Sequence, residues 1–119
     1  MSYDFKEIWC NKGNFSESNR KSSDIDTLVI HYTGNDGDTA ENNGNYFKNN
    51  VVETSAHYFV DDTTVVRSVA DKNIAWHAGD WDINCRSIGI EIAGSTTECT
   101  GKTLENVIAL TKELMKKYN

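Results

Sequence analysis

Apolar and polar positions along the chain mark out four short strand-like segments. Residues 27–32 form a β-rich apolar run that ends at a Gly-rich stretch, which predicts a buried central strand followed by a loop. Residues 56–60 and 63–69 are separated by two aspartates, a pattern typical of a β-hairpin. Residues 86–94 complete the set, since they are again rich in apolar and small side chains.

Between the first two strands, the sequence predicts a helix over residues 40–49. Asp38 or Thr39 is positioned to cap it, because short polar side chains accept hydrogen bonds from the free amides of a first helical turn. We expect Tyr46 and Phe47 to be turned inward.

The clearest helical pattern comes last. Thr103 is its predicted N-cap, and apolar residues recur behind it at spacings of three, four and seven. The predicted inward positions are Leu104, Val107, Ile108, Leu114, Met115 and Tyr118. The order of elements predicts an α/β fold with a mixed central β-sheet flanked by helices. We expect residues 1–24 to form a polar arm or loop and residues 25–119 to form one domain.

Charge and hydropathy exclude several classes of function. The 119 residues include 12 Lys and Arg against 18 Asp and Glu, a formal net charge of -6, so nucleic acid is not an expected partner. No apolar run approaches the roughly 18 residues that would span a membrane, so no membrane partner is expected either. The polar, acidic start is unlike a secretory signal, which predicts synthesis in the cytoplasm.

The three cysteines fit neither a CxxC pair nor an even disulfide framework. Without a secretory signal we expect three reduced thiols, with a bridge between Cys85 and Cys99 as the open alternative.

Two positions stand out as candidate chemistry. His31 closes an apolar strand and opens into a Gly-rich loop, and strand ends are where open α/β folds present functional groups. Glu91 lies inside an apolar strand, where alternation places it on one face with Gly89 and Ala93. A carboxylate in such surroundings is either structurally satisfied or functional, and its sequence context favours neither.

The loop that contains Trp76 and His77 precedes a small-residue turn. Such a loop can line a cleft, with an indole ring as a stacking face and an imidazole as a hydrogen-bonding group. The alternative is that Trp76 anchors its loop to the core.

Four sequence blocks occur together in one order. They are residues 29–33 (Val-Ile-His-Tyr-Thr), 55–60 (Ser-Ala-His-Tyr-Phe-Val), 75–79 (Ala-Trp-His-Ala-Gly) and 84–91 (Asn-Cys-Arg-Ser-Ile-Gly-Ile-Glu). In this order the blocks resemble the zinc-dependent N-acetylmuramoyl-L-alanine amidases, a family of phage and prophage endolysins, bacterial autolysins and peptidoglycan recognition proteins. The resemblance extends over residues 25–119.

The resemblance implies a hydrolase that cleaves the amide between N-acetylmuramic acid and L-alanine of the peptidoglycan stem peptide. His31 matches the first of three zinc ligands, and Glu91 matches the general base of one branch of the family. A second branch uses a tyrosine where this chain has Ala56, so the chain resembles the glutamate branch. The residues expected to bind the substrate are Ser55, His57, Trp76, His77 and Asn84. The implied partner is peptidoglycan or muropeptide, and the implied place of action is the cell wall, after release of the protein.

In the family, the other two zinc ligands follow the helix matched here by residues 103–118. Two of the three protein ligands for Zn are therefore missing from this chain, and we expect a domain that is incomplete at its C-terminus. Three alternatives are open: an incomplete amidase domain, which we prefer, a non-catalytic domain that binds muropeptide, and a chain that forms a homodimer through an incomplete sheet edge.

Overall fold

The computed structural model describes residues 3–94 and 98–118. No helix in this part of the chain is long and apolar enough to cross a membrane. The described elements, in chain order, are the strands β1 (Asp4–Glu7), β2 (Phe15–Ser16) and β3 (Thr27–Asp36), the helix α1 (Ala40–Asn49), the strands β4 (Tyr58–Val60), β5 (Thr64–Arg67) and β6 (Ile74–Ala75), the helix α2 (Trp81–Arg86), the strand β7 (Ser87–Gly94) and the helix α3 (Gly101–Tyr118).

Five of the strands form one mixed sheet in the order β1-β5-β4-β7-β3. The neighbours β4 and β5 are antiparallel, as the predicted hairpin requires, and the other three pairs are parallel. β2 and β6 pair separately as a small antiparallel ribbon. The prediction of a mixed sheet flanked by helices is confirmed.

β3 is an edge strand of the described sheet, so the prediction of a buried central strand at residues 27–32 is wrong. Its side chains Ile30 and Tyr32 are 48% and 65% exposed. The interior position belongs to β7, which lies between β4 and β3. An apolar run indicates that a strand is buried on at least one face, but it does not say which strands flank it. Whether a second copy pairs with this edge stays a prediction.

The two helices α1 and α3 contribute to different parts of the core. Ile88 and Ile90 of β7 pack with Leu110 and Leu114 of α3 in the larger hydrophobic cluster. Ala40 and Phe47 of α1 pack with Phe59 and Val66, which belong to β4 and β5. Tyr46 is 51% exposed, so the prediction that it turns inward is wrong, whereas Phe47 does pack inward. α1 begins after Thr39, whose side chain accepts a hydrogen bond from the Asn42 amide at 3.0 Å.

α3 begins at Gly101, two residues before the predicted cap at Thr103. The first turn is closed by the Leu104 amide, which donates to the Thr100 carbonyl at 3.3 Å. The buried face consists of Asn106, Val107, Leu110 and Leu114. Three of the predicted inward positions are therefore exposed, because the apolar pattern is wider than the stripe that reaches the sheet: Leu104, Ile108 and Met115.

Residues 3–24, which belong to the segment expected to be a polar arm or loop, are built into the fold. β1 pairs with β5, and the buried Asn14 side chain donates to the carbonyls of Phe47 and Asn50. The side-chain oxygen Oδ1 of Asn14 also accepts from two backbone amides of the loop after α1, at 2.7 and 2.9 Å. Further along, the Arg20 guanidinium donates to the backbone carbonyls of Asn84, in α2, and Ser87, at the start of β7. The boundary at residue 24 stays a prediction.

The three cysteines, Cys10, Cys85 and Cys99, are unpaired thiols in the described structure.

The buried carboxylate of Asp71 fastens the end of α3 to the sheet. It accepts hydrogen bonds from the hydroxyls of Tyr58, at 2.6 Å, and Tyr118, and it forms ion pairs with Arg67 and Lys117. Burial alone would raise the pKa of Asp71, but the two hydroxyls and the Arg67 cation together lower it below its ordinary value. Asp71 is therefore held as an anion that several groups compensate.

We expect Asp71→Asn to lower the free energy of unfolding by about 3 kcal/mol, because the partners of a buried charge are left uncompensated. Chemical denaturation of the two proteins measures this difference. Asp82→Asn is the matched control, since Asp82 is exposed and pairs with Arg86 at the surface, and it should cost less than about 0.5 kcal/mol. Equal losses in the two variants would contradict the structural role of Asp71.

Candidate active site

The pairing of β3 with β7 brings the two sequence-predicted chemical groups together. The strands are parallel, and His31 and Glu91 are register partners, so both side chains leave the same face of the sheet. Phe59 of β4 is the partner of Glu91 on its other side. Ile88 and Ile90 of β7 pack against α3 in the larger hydrophobic cluster. Glu91 lies on the opposite face of the strand and borders an open cavity of about 480 Å³.

Glu91 is a partly buried carboxylate for which the described residues provide no neutralising partner. Its Oε1 atom is buried and has no hydrogen-bond partner among residues 3–94 and 98–118. Burial, together with the nearby negative charge of Asp38, raises the pKa of Glu91 to about 7. Near neutral pH the side chain is thus present both as the acid and as the base, which is the range in which a carboxyl group transfers protons most effectively.

Asp38 is held beside the cavity by hydrogen bonds to the backbone and to α1. Its Oδ1 accepts from the Gly94 amide at 2.6 Å, and its Oδ2 accepts from the Asn43 side chain at 2.8 Å. The sequence marked Asp38 only as a helix cap, a role that Thr39 performs. Proximity in the fold, rather than any local pattern, is what makes Asp38 part of this site.

His31 is hydrogen-bonded to His77. The His31 Nε2 and His77 Nδ1 atoms are 3.0 Å apart, and the two rings meet edge to face. Burial lowers the pKa of His31, and burial and the His31 ring lower that of His77 to about 4. Both rings are therefore neutral at pH 7.

Three residues hold the His77 ring in this position. Its Nε2 atom lies 2.9 Å from the Ser87 hydroxyl, and the amides of His77 and Ala78 both donate to the Asn84 side-chain oxygen. A Cβ atom on Gly89 would lie 2.6 Å from the His77 ring, so only glycine leaves space for it. Gly89, which strand alternation places on the same face as Glu91, is thus the residue against which the His77 imidazole packs.

Three of the residues expected to bind the substrate lie inside the fold and hydrogen-bond to the backbone. His57 is fully buried, its Nδ1 accepts from the Gly89 amide, and burial lowers its pKa to about 3. Ser55 is buried and accepts from the Trp76 amide at 2.9 Å, and Asn84 is buried in the contacts just described. A polar residue next to a candidate site can equally well shape the loop that carries it, and a role of these three residues in substrate binding stays a prediction.

Trp76 anchors its loop, as the open alternative proposed. The indole nitrogen donates to the Ser16 hydroxyl at 2.9 Å, and the backbone pairs with residues 54 and 55. Trp76 and His77 are both only partly buried.

The walls of the cavity beside Glu91 include aromatic rings and amides that the sequence did not single out for binding. Tyr32 and Tyr46 are large and exposed, which is where a flat apolar surface can stack on a ligand. The main polar residues around them are Asn35, Asp38, Asn42 and Asn43. The unusually Asn-rich composition of α1 was the available signal, since asparagine is a poor helix former.

Comparison with known proteins agrees with this arrangement. A family model described as N-acetylmuramoyl-L-alanine amidase matches residues 21–119. The chain belongs to this amidase family. It is 42% identical to the N-acetylmuramoyl-L-alanine amidase CwlA of Bacillus subtilis (strain 168) over 71 residues, which are 57% of this chain and 26% of the relative. It is 35% identical to the amidase XlyA of the same organism over 96 residues, 77% of this chain and 32% of the relative. The chain thus spans about a third or less of these two relatives.

Solved structures of the family share the fold. The catalytic domain of XlyA superposes with a TM-score of 0.80 at 29% identity and covers 98% of this chain and 78% of that one. A mutant endolysin from Bacillus subtilis gives the same TM-score at 28% identity, with the same coverage.

The family is generally zinc-dependent, but the described residues do not make up a zinc site. Among residues 3–94 and 98–118, no group of three or more His, Cys, Asp or Glu side chains is placed to hold a metal ion. The His31 Nε2 atom is also engaged by His77. Zinc sites with catalytic roles have three protein ligands, so the described residues do not fit such a group by themselves.

We expect Glu91→Gln to stabilise the protein at high pH and not at low pH. The raised pKa means that the folded protein binds this proton more tightly than the unfolded chain does. The contribution of the carboxyl group to stability is then fully present below its ordinary value of 4.5 and is lost as the pH rises through about 7. Glutamine has no charge to desolvate, so the variant should gain about 1–2 kcal/mol near pH 8, after allowance for solvent screening, and nothing near pH 4.

Urea denaturation of both proteins at the two pH values measures the effect. The control is Glu105→Gln, which changes an exposed carboxylate on α3 and should stay within about 0.5 kcal/mol of wild type throughout. A Glu91→Gln difference that does not change with pH would contradict the environment described for Glu91.

Proposed function

We propose that the chain is a peptidoglycan hydrolase that cleaves the amide between N-acetylmuramic acid and L-alanine of the stem peptide. Membership of the amidase family supports the reaction class. The observation that carries the proposal is the Glu91 carboxyl group, which has a pKa raised to about 7 and borders an open cavity without a hydrogen-bond partner for Oε1 in the described residues. Perturbed carboxylates in clefts are typical of catalytic acids and bases.

In this proposal Glu91 is the general base. In its ionised form it takes a proton from the attacking water, and in its protonated form it delivers that proton to the departing amine of L-alanine. A single group does both because its pKa lies near neutral pH. Burial removes competing solvent from one side of the carboxylate, while the cavity leaves the other side accessible to substrate.

We also propose His31 as one protein ligand of the zinc ion that the family generally uses. Its place beside Glu91 supports this assignment. When bound, zinc would supply Lewis acidity toward water and the scissile carbonyl. The remaining ligands are not found among the described residues.

The shape of the cavity suits a glycopeptide. A volume of about 480 Å³ lies within the usual range for small-ligand sites. We propose that Tyr46 and Tyr32 stack on the sugar ring while the side-chain amides of Asn35 and Asn42 hydrogen-bond to the peptide or the acetamido group. The cell wall, where such glycopeptides occur, is the proposed place of action.

A non-catalytic binding domain explains the site less well. Binding alone would not require a carboxylate that is costly to bury and has no compensating partner on the described residues. That cost is understandable if the ionised group is needed for chemistry.

Purified peptidoglycan incubated with the full chain should release new L-alanine amino termini, measured by end-group labelling. Glu91→Gln keeps the shape of the side chain and should lower the rate by at least about 100-fold, the usual contribution of a general base. Glu105→Gln changes an exposed side chain of α3, on the other face of the sheet from Glu91, and should retain the rate of the wild type.

Chelation with a metal-binding agent forms a second arm of this experiment. Chelator-sensitive release by the wild type supports the zinc assignment, whereas release that is insensitive to chelator contradicts it. Wild-type protein that is folded and releases no amino termini, or a Glu91→Gln variant with full activity, would overturn the proposed reaction or the role of Glu91, respectively.

A further inference from the structure

Three side chains on one face of the sheet form a continuous hydrogen-bonded chain. The His31 Nε2 atom is 3.0 Å from His77 Nδ1, and His77 Nε2 is 2.9 Å from the Ser87 hydroxyl oxygen. The position of His77 between the other two depends on the missing side chain of Gly89. Packing against Gly89, as well as hydrogen bonding, therefore places His77 between His31 and Ser87.

Only two arrangements of protons satisfy this chain. A neutral imidazole, the form that predominates above the ordinary histidine pKa of about 6.5, has one N–H donor and one acceptor nitrogen. The 3.0 Å separation of His31 Nε2 and His77 Nδ1 requires one of each at this contact. In the first arrangement His31 donates to His77, and His77 donates to Ser87. In the second, Ser87 donates to His77, and His77 donates to His31.

Ser87 distinguishes the two arrangements. Its side chain is fully buried, and its hydroxyl has no partner other than His77 in the described part of the chain. If His77 donated to Ser87, the hydroxyl proton would be buried without an acceptor, which costs about as much as losing a hydrogen bond. If Ser87 donates, its proton is satisfied.

In the second arrangement, one ring N–H has no acceptor among the three side chains. This N–H is at the Nδ1 atom of His31, which has no hydrogen-bond partner among the described residues. His31 is only partly buried, so solvent or a ligand can accept this hydrogen bond.

We propose that Ser87 and His77 are positioning residues for His31: the hydrogen-bonded chain runs from Ser87 through His77 to His31 and holds both rings as the Nδ1–H tautomer. This assigns His77 to the support of His31 rather than to direct binding of the substrate. It gives a reason for the presence of a hydroxyl at position 87 and of glycine at position 89.

The consequence for chemistry is specific. The Nε2 lone pair of His31 is used by His77, so His31 offers an N–H donor beside Glu91. A ligand that needs a lone pair on His31, such as a cation, has to reverse both hydrogen bonds and bring the protein into the first arrangement. The inference rests on the proposed function in one respect only, because the tautomer of His31 affects catalysis only if His31 belongs to the amidase site.

The test uses the full chain labelled with ¹⁵N at histidine, free of metal, at neutral pH. Long-range ¹H–¹⁵N correlation spectra assign the tautomer of each ring, and a scalar coupling across the N–H···N hydrogen bond identifies donor and acceptor. We expect Nδ1–H at both His31 and His77, with His77 Nδ1 as the donor to His31 Nε2. This outcome is informative because free imidazole side chains favour the other tautomer.

Two variants of His77 separate positioning from bulk packing. His77→Phe keeps a ring but removes both nitrogens, so His31 should change to mainly the Nε2–H tautomer. His77→Asn places an amide donor near the former Nδ1 position, so His31 should remain Nδ1–H. In Ser87→Ala the donor that fixes the direction is absent, and the Nε2–H fraction of both rings should rise.

An Nε2–H tautomer of His31 in the wild type would overturn the proposal, as would a tautomer of His31 that does not change in His77→Phe. An unchanged tautomer in Ser87→Ala would overturn the part assigned to Ser87. In the amidase assay we expect His77→Phe to lose activity and His77→Asn to retain more of it, because an asparagine amide can hydrogen-bond the His31 ring either as donor or as acceptor. Equal loss in both folded variants would overturn a role of this contact in hydrolysis. Absence of amidase activity in the wild type contradicts the proposed function instead, and the tautomers of the metal-free protein are measured independently of it.

Discussion

The parallel pairing of β3 with β7 is the constraint on which the site depends. The two strands run in register from Thr27 opposite Ser87 to Tyr32 opposite Ile92, and this places His31 next to Glu91. A shift of one residue would turn Glu91 into the α3 core and bring an isoleucine to the cavity. The hydrophobic packing of Ile88 and Ile90 therefore also fixes the direction of the carboxylate.

Strand β7 also carries a destabilising group, because burial and the nearby Asp38 make the ionised form of Glu91 unfavourable. Glu91 lies on a row of small residues, Gly89 and Ala93, which leaves room above the sheet for His77 and for the cavity. Asp38, held by the Gly94 amide and by α1, increases the cost of ionising Glu91 rather than reducing it. Proteins commonly carry such local destabilisation where a reactive group has to be kept away from compensating partners.

Local pattern was sufficient for much of the fold. The capped helix over residues 40–49, the hairpin and the strand that contains Glu91 follow from side-chain periodicity and turn residues, and the structure has all three. The edge position of β3 could not be predicted in this way, because strand order depends on contacts between distant segments. With Thr103 as its cap, the helix α3 was predicted to begin three residues too late, since its first turn is closed by the Thr100 carbonyl, a group that side-chain patterns do not report.

The site was predictable in part for the same reason. Glu91 was recognisable as unusual because it interrupts an apolar strand, and His31 because it ends an apolar run at a Gly-rich stretch. The burial of His57, Ser55 and Asn84 was not, because the sequence shows a polar residue but not which backbone amide it satisfies.

The state of the Glu91 carboxyl group is the central claim and can be measured directly. A pH titration by NMR of the metal-free chain labelled with ¹³C at glutamate follows this ionisation through the Glu91 carboxyl signal, which is identified by its absence in Glu91→Gln. The structure predicts a titration midpoint near pH 7 for Glu91. In a variant in which β7 is exposed to solvent, this midpoint should return toward 4.5. A midpoint near the ordinary value of 4.5 would contradict the account, because Glu91 would then be a solvated carboxylate with no special fitness for proton transfer.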